Sequence, residues 1–347
     1  MNVSHAFINL VWKRADGPVS YETDSCLYIT AAGTAPSLIG DDRFLEIPLT
    51  TIADAASHGD PVEHLIAHRP RETDLLPPGV ETMIHAAITA PYVVHTRPVG
   101  ITGLLASADG AANARKLFGT DIVWIDAMPP NRSLLHAVQS ALTAHRNAHE
   151  GTDPQFVFLQ NHGLLITGDT PDEIETRFNF ISRTLEPVLQ RSPELEPARQ
   201  DSDALGELNE AVRRALADTR AAHGASLNAP ETTACVNPEI LRRAASAEAF
   251  KPIRTTLMAD HLSVLGSALC FVPRHGDLTS PQALLADVLH AIHDYYHDEY
   301  GAPRVVVVQN AGAVVVGETE EELSHACAAF QRTLETACYA ESFGGSR

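Results

Sequence analysis

QNHGLLITGDTPDEI occupies Gln160–Ile174, and QNAGAVVVGETEEEL occupies Gln309–Leu323. The two stretches share one plan. Each follows an apolar run, FVFLQN or VVVVQN, that suits a buried strand. Gly163 and Gly312 then stand where a tight turn needs positive φ, and a second short apolar run follows. A helix comes next. Thr170 and Glu173 form a capping box with Pro171 at the first helical position, and Thr319 and Glu322 repeat the box without the proline. Both helices carry RTLE in the same register, at Arg183–Glu186 and Arg332–Glu335. This predicts a repeated strand–turn–strand–helix unit. One difference carries chemistry: His162 in the first copy is Ala311 in the second.

Working outward, the 347 residues exceed one ordinary core, and 44% hydrophobic content is ample for two. SPELEPARQDSDA, at Ser192–Ala204, is rich in Pro, Ser and charge and reads as a junction. The expected domains are therefore 1–195 and 205–347. Strands are expected near Ser25–Thr30, Tyr92–Thr96, Asp121–Ile125, Phe156–Gln160, Leu164–Thr167, Leu262–Leu265, Leu269–Pro273, Arg304–Gln309 and Ala313–Val316. Helices are expected over Val80–Ala90, Ala108–Leu117, Leu134–His149, Pro171–Gln190, Leu205–His223, Pro281–Glu299 and Glu320–Tyr339. The class is α/β.

A net charge of −19 argues against a nucleic-acid or anionic-membrane partner, since both need clustered Lys and Arg. No segment approaches the roughly 20 apolar residues of a membrane span. No basic start followed by an apolar run opens the sequence. Five scattered cysteines without CxxC spacing fit reduced thiols, so a cytoplasmic protein is expected. GxGxxG after a strand, GxxxxGK[ST] and GxSxG are all absent.

Of 17 histidines, His58, His64, His68, His145, His149, His223 and His297 read as ordinary surface or helix-face residues. His85, His95 and His162 stand apart. His95 and Arg97 are two apart on an expected strand and so share a face. Two imidazoles so placed, with a third from a separate turn, would make a catalytic zinc site. Here Arg97 stands in the second place with a permanent positive charge. Glu81 lies one helical turn before His85. It is open to two readings: a general acid or base beside a metal, or a helix-start carboxylate that helps the dipole.

GVETMIH, PYVVHTRP and FVFLQNHGLLITGDTPDE, in this order, resemble the class II aldolase/adducin family. More narrowly, they look like the aldolase half of bifunctional rhamnulose-1-phosphate aldolase/alcohol dehydrogenase proteins. MADHLSVLG and RVVVVQNAGAVVVGET stand at that half's later motifs, so the likeness runs from about Cys26 to the last helix. The resemblance implies a three-layer α/β/α sandwich. It implies retro-aldol cleavage of a small oxygenated or phosphorylated substrate with a divalent metal, zinc in the family. Carried over by position, Glu81 is the acid/base and His95 and His162 are metal ligands. Arg97 replaces the middle ligand histidine and could bind a substrate anion. The Gly-Asn-Thr-Ser loop that cradles phosphate in the family has HAFINLVWKRADG in its place. Two readings follow: a metal-dependent lyase with a degenerate site, or a non-catalytic aldolase-like binding module. The family also implies a homo-oligomer.

Overall fold

The computed structural model describes residues 7–8, 10, 17–31, 34, 39, 43–58, 81–198, 202–222, 230–275, 280–298 and 301–346. The sequence readings of His64, His68 and His223, and most of His5–Gly17, lie outside these residues. The chain divides into two units. One holds Met1–Leu105 and Asp109–Val188, the other Ala106–Ala108 and Leu189–Arg347. Among the described residues, no helix is long and apolar enough to cross a membrane.

The first unit is built on a seven-stranded sheet with order β3-β2-β1-β4-β7-β6-β5. Its strands are β1 (Val19–Glu22), β2 (Cys26–Thr30), β3 (Phe44–Pro48), β4 (Tyr92–Thr96), β5 (Ile122–Ile125), β6 (Phe156–Leu159) and β7 (Gly163–Gly168). All neighbours are antiparallel except the β5–β6 pair. The helices are α1 (Leu49–His58), α2 (Thr82–His85), α3 (Val99–Ala106), α4 (Gly110–Phe118), α5 (Arg132–Ala148) and α6 (Pro171–Leu185). Side chains alternate along each strand, so each face gathers its own core. Val93, Val157, Leu159 and Leu165 pack with Leu134, Val138 and Leu142 of α5 and with Ile84 of α2. On the other face, Phe156 and Phe158 meet Phe118 of α4, and Phe156 also meets Phe180 of α6. Helices therefore cover both faces, giving the α/β/α sandwich.

The second unit repeats this layering around a four-stranded sheet, order β8-β11-β10-β9. The strands are β8 (Glu231–Cys235), β9 (Cys270–Val272), β10 (Val305–Val308) and β11 (Gly312–Gly317). The helices are α7 (Ser202–Ala222), α8 (Pro238–Ala244), α9 (Ala247–Arg254), α10 (Ala259–Leu265), α11 (Pro281–His297) and α12 (Glu320–Ala340). Val306, Val308, Val314 and Val316 pack against α7 and α11. Val305, Val307 and Val315 pack against α8, α9, α10 and α12.

The shared QN-x-G stretch has the same bonding in both units. The Gln160 and Gln309 amides donate to Ile125 O and Val272 O, at 2.9 and 3.0 Å. Their side-chain oxygens accept from Ala127 N and Arg274 N, at 3.0 and 3.1 Å. Asn161 and Asn310 hold the left-handed turn position, with φ of 60° and 58°. Thr170 and Thr319 cap the helices that follow by accepting from Glu173 N and Glu322 N.

Two expectations differ from the structure. Leu262–Leu265 is part of α10 and not a strand: His261 and Leu265 are buried four residues apart while Leu262 is 49% exposed, which is helical and not alternating spacing. The helix expected over Val80–Ala90 is ordered helix only at Thr82–His85. Asp153 Oδ2 takes the amides of Thr89 and Ala90 at 2.6 and 2.9 Å, which draws that backbone out of the helix. β1, β3 and β8 lie outside the expected strands.

Candidate active site

His95 sits near the end of β4, between β1 and β7 in the sheet. It is fully buried, and its amide donates to Pro18 O at 2.9 Å. His162 lies in the β6–β7 turn, directly after left-handed Asn161. Its amide closes the turn on Leu159 O at 2.9 Å. Glu81 is the N-cap residue directly before α2, yet its side chain makes no capping hydrogen bond. Its Oε1 lies 3.6 Å from His162 Nε2, ion-pair range but longer than a hydrogen bond. The carboxylate is therefore aimed at the imidazole rather than serving the start of its own helix.

Glu81, His95 and His162 each bring one ligand atom within 4.8 Å of the others. The two imidazole rings have centroids 5.3 Å apart. Gly163 makes this approach possible: a Cβ there would run into His95 Nε2. The neighbouring imidazole requires the glycine, whose φ is positive as expected, at 154°, two residues after left-handed Asn161. Gly17 presses from the other side, where a Cβ would meet His95 O at 3.1 Å.

Arg97 is next after β4, where the register places it opposite Gly163. Its Nε donates to His162 O at 2.8 Å. His85, on α2, is buried, and its Nδ1 lies 2.7 Å from Ser20 Oγ. Sequence reasoning left the β1 strand unseen and with it this serine.

The electrostatics favour neutral His85 and His95 and an ionised Glu81. Burial pushes His95 well below its ordinary value, and the charges of Arg97, His162 and His85 push the same way. Burial likewise lowers His85 to about 4, against the pull of Glu81. For Glu81, burial alone would raise the pKa. His162, its own backbone amide and the His85 charge outweigh that and hold it below the usual carboxylate value. The thiols of Cys235 and Cys270 are pushed up to about 12 by burial, so neither is a nucleophile at neutral pH.

The residues present fit a divalent cation. Both ring nitrogens of His95 and Nε2 of His162 are buried without a hydrogen-bond partner among the described residues. Buried polar atoms seldom stay unmatched, so these nitrogens ask for a ligand. The two imidazoles suit zinc and other first-row divalent ions, with the Glu81 carboxylate beside them.

The second unit shows the same framework with the chemistry removed. Ala234 pairs with Val314 as His95 pairs with Leu165. Val236 follows β8 where Arg97 follows β4, and Ala311 stands for His162. Ala234 and Ala311 pack against the apolar cluster on that face.

The sequence profile of the Class II Aldolase and Adducin N-terminal domain matches residues 10–188, more than half of the chain, and the protein belongs to that family. Among curated proteins, an uncharacterized oxidoreductase, YuxG from Bacillus subtilis (strain 168), is 25% identical over 95 residues. That match covers 27% of this chain and only 13% of the relative. Among solved structures, the N-terminal class II aldolase domain of a protein from Thermoplasma acidophilum is 20% identical, with a TM-score of 0.44 over 55% of this chain and 96% of that one. L-fuculose-1-phosphate aldolase from Thermus thermophilus is 15% identical, with a TM-score of 0.31 over 52% and 88%. Family membership rests on the profile match and not on these distant likenesses.

Proposed function

We propose that this protein is a metal-dependent lyase that breaks a carbon–carbon bond in a small oxygenated substrate by a retro-aldol or related step. The observation that carries the reading is the convergence of Glu81, His95 and His162 within 4.8 Å, with buried imidazole nitrogens left unmatched. His95 and His162 hold a divalent ion, zinc by the family's habit. The ion supplies Lewis-acid polarisation of a substrate carbonyl. Glu81, held ionised, takes the proton from the hydroxyl next to the breaking bond and returns it to the carbon left behind. Arg97 binds an anionic group of the substrate, a carboxylate or phosphate, through its planar guanidinium. The partner is thus a small molecule. The net charge of −19 speaks against nucleic acid and anionic membranes. The protein is expected to be cytoplasmic and a homo-oligomer. The bifunctional rhamnulose-type relationship remains part of this reading.

One observation favours the second reading, a non-catalytic binding module. Arg97 stands where the third imidazole belongs, with its charge beside the buried His95. A metal ion there meets an adjacent cation.

The deciding experiment measures metal in purified protein by elemental mass spectrometry, beside Glu81→Gln and His162→Ala. The lyase reading expects one metal lost in His162→Ala. It expects metal kept in Glu81→Gln while cleavage of short hydroxy-ketones and sugar acids collapses. A protein that takes up no metal at this cluster, even with excess zinc, ends the lyase reading and leaves the binding module.

A further inference from the structure

A second group of ligating side chains lies in the first unit, on another part of the sheet. Asp121, His145 and His149 each bring one ligand atom within 4.8 Å of the others. His145 and His149 sit one turn apart at the end of α5, and their rings stack with centroids 3.9 Å apart and planes 11° from parallel. Asp121 directly precedes β5, an edge strand of the sheet. We propose that Asp121, His145 and His149 form a second, zinc-type metal site that ties the end of α5 to the start of β5.

Tautomer chemistry carries the argument. His149 Nδ1 lies 2.8 Å from the backbone oxygen of His145. A carbonyl only accepts, so Nδ1 holds the proton, and Nε2 of the neutral ring keeps its lone pair. Metal-bound histidines are fixed by this kind of bond from the far nitrogen to a carbonyl. His145 is buried, with a side chain 4% exposed. Its Nε2 lies 3.2 Å from Asp121 Oδ1, an ion-pair contact, and makes no hydrogen bond among the described residues. Gln155 Nε2 binds the other carboxylate oxygen at 3.1 Å, which steadies Asp121 with Oδ1 toward the imidazole.

Charge agrees with the assignment. Both histidines sit at the C-terminal end of α5, where the helix dipole favours a cation. The nearby Arg146 is neutralised by Asp153, to which its Nε donates at 2.7 Å. Two nitrogens and one oxygen select zinc, or copper, nickel or cobalt, over magnesium and calcium. Three protein donors leave a fourth position for water. This site is independent of the Glu81–His95–His162 cluster and stands or falls without it.

The test counts zinc by equilibrium dialysis in four proteins: wild type, His149→Ala, His162→Ala and the double variant. His149→Ala is expected to bind one zinc fewer than wild type, and the double variant one fewer than His162→Ala. Zinc should raise the melting temperature of His162→Ala and leave that of the double variant unmoved. Asp121→Asn, a half-exposed position, should lose the same zinc and serves should His149→Ala fold poorly. Equal zinc counts with and without His149 or Asp121 overturn the proposal, whatever His162→Ala does. Scattered surface binding, for instance at the His293–His297 pair on α11, would be indifferent to both substitutions and so gives that overturning result.

Discussion

Arg97 Nε donates a 2.8 Å hydrogen bond to the carbonyl oxygen of His162. Arg97 thus braces the backbone of His162, a proposed ligand, while adding a cation beside His95. Arg97→His should remove the repulsion and offer a third imidazole. The expected result is divalent-metal binding tightened roughly tenfold or more, about 1.4 kcal/mol. A competitive titration with a metal-binding dye reads it. Binding unchanged or weakened would show that the Arg97 brace matters more than its charge.

The Gly163 position separates site geometry from general strain. Gly163→Ala drives a Cβ into His95 Nε2 at a backbone φ of 154°. Gly312→Ala, its counterpart, meets Cys235 O at 3.0 Å and Leu208 Cδ2 at 3.4 Å, at φ 144°. Both should lose about 1–3 kcal/mol of stability from strain. Only Gly163→Ala should also lose metal. Denaturant melts together with metal analysis of both variants check this, and metal loss in Gly312→Ala would contradict it.

Much of this was legible in the sequence. The repeated QN-x-G and Thr-x-x-Glu signals placed both turns and both following helices, because backbone caps demand particular side chains. The ordered motifs singled out Glu81, His95 and His162. What stayed hidden had physical reasons. β1 and β8 are short and partly polar, as Ser20 and Thr232 show, and lack the apolar run that signals a strand. Missing β8 concealed Ala234 opposite Val314, and so the full apolar replacement of the second copy. His145 read as a surface residue, yet the stripe Leu134, Val138, Leu142 continues to it at helical spacing, and it is buried. Ser20 beside His85 depends on sheet register, which no local pattern encodes.

Glu239 is the hinge of a charge network in the second unit. Its side chain is 1% exposed, with Arg191 Nη1 at 2.6 Å and Arg243 Nη2 at 3.0 Å. Arg243 also reaches Glu341 at 2.7 Å. Glu239→Ala leaves Arg243, 5% exposed, without its buried partner. Removing one member of such a pair costs about 3–5 kcal/mol. Urea unfolding should show that loss, with metal content unchanged. A loss under about 1 kcal/mol, the scale of an exposed pair, would mean that Glu341 alone satisfies both arginines.

The depressed pKa of His85 fixes the sign of an acid effect. Its folded value is about 4 and the ordinary value 6.5, so the unfolded chain takes the proton first as pH falls. The stability it contributes is fully present above pH 6.5. It is lost as pH drops from 6.5 toward 4, by about 3 kcal/mol in all. His95 shifts in the same direction and adds to the slope. Metal-free protein, followed by urea midpoints from about pH 7 to about pH 4.5, should weaken steadily across that window. His85→Gln keeps a side chain able to bond Ser20 but removes the titration, so its slope should be shallower. Parallel slopes in the two proteins would show that the buried imidazole does not carry the effect.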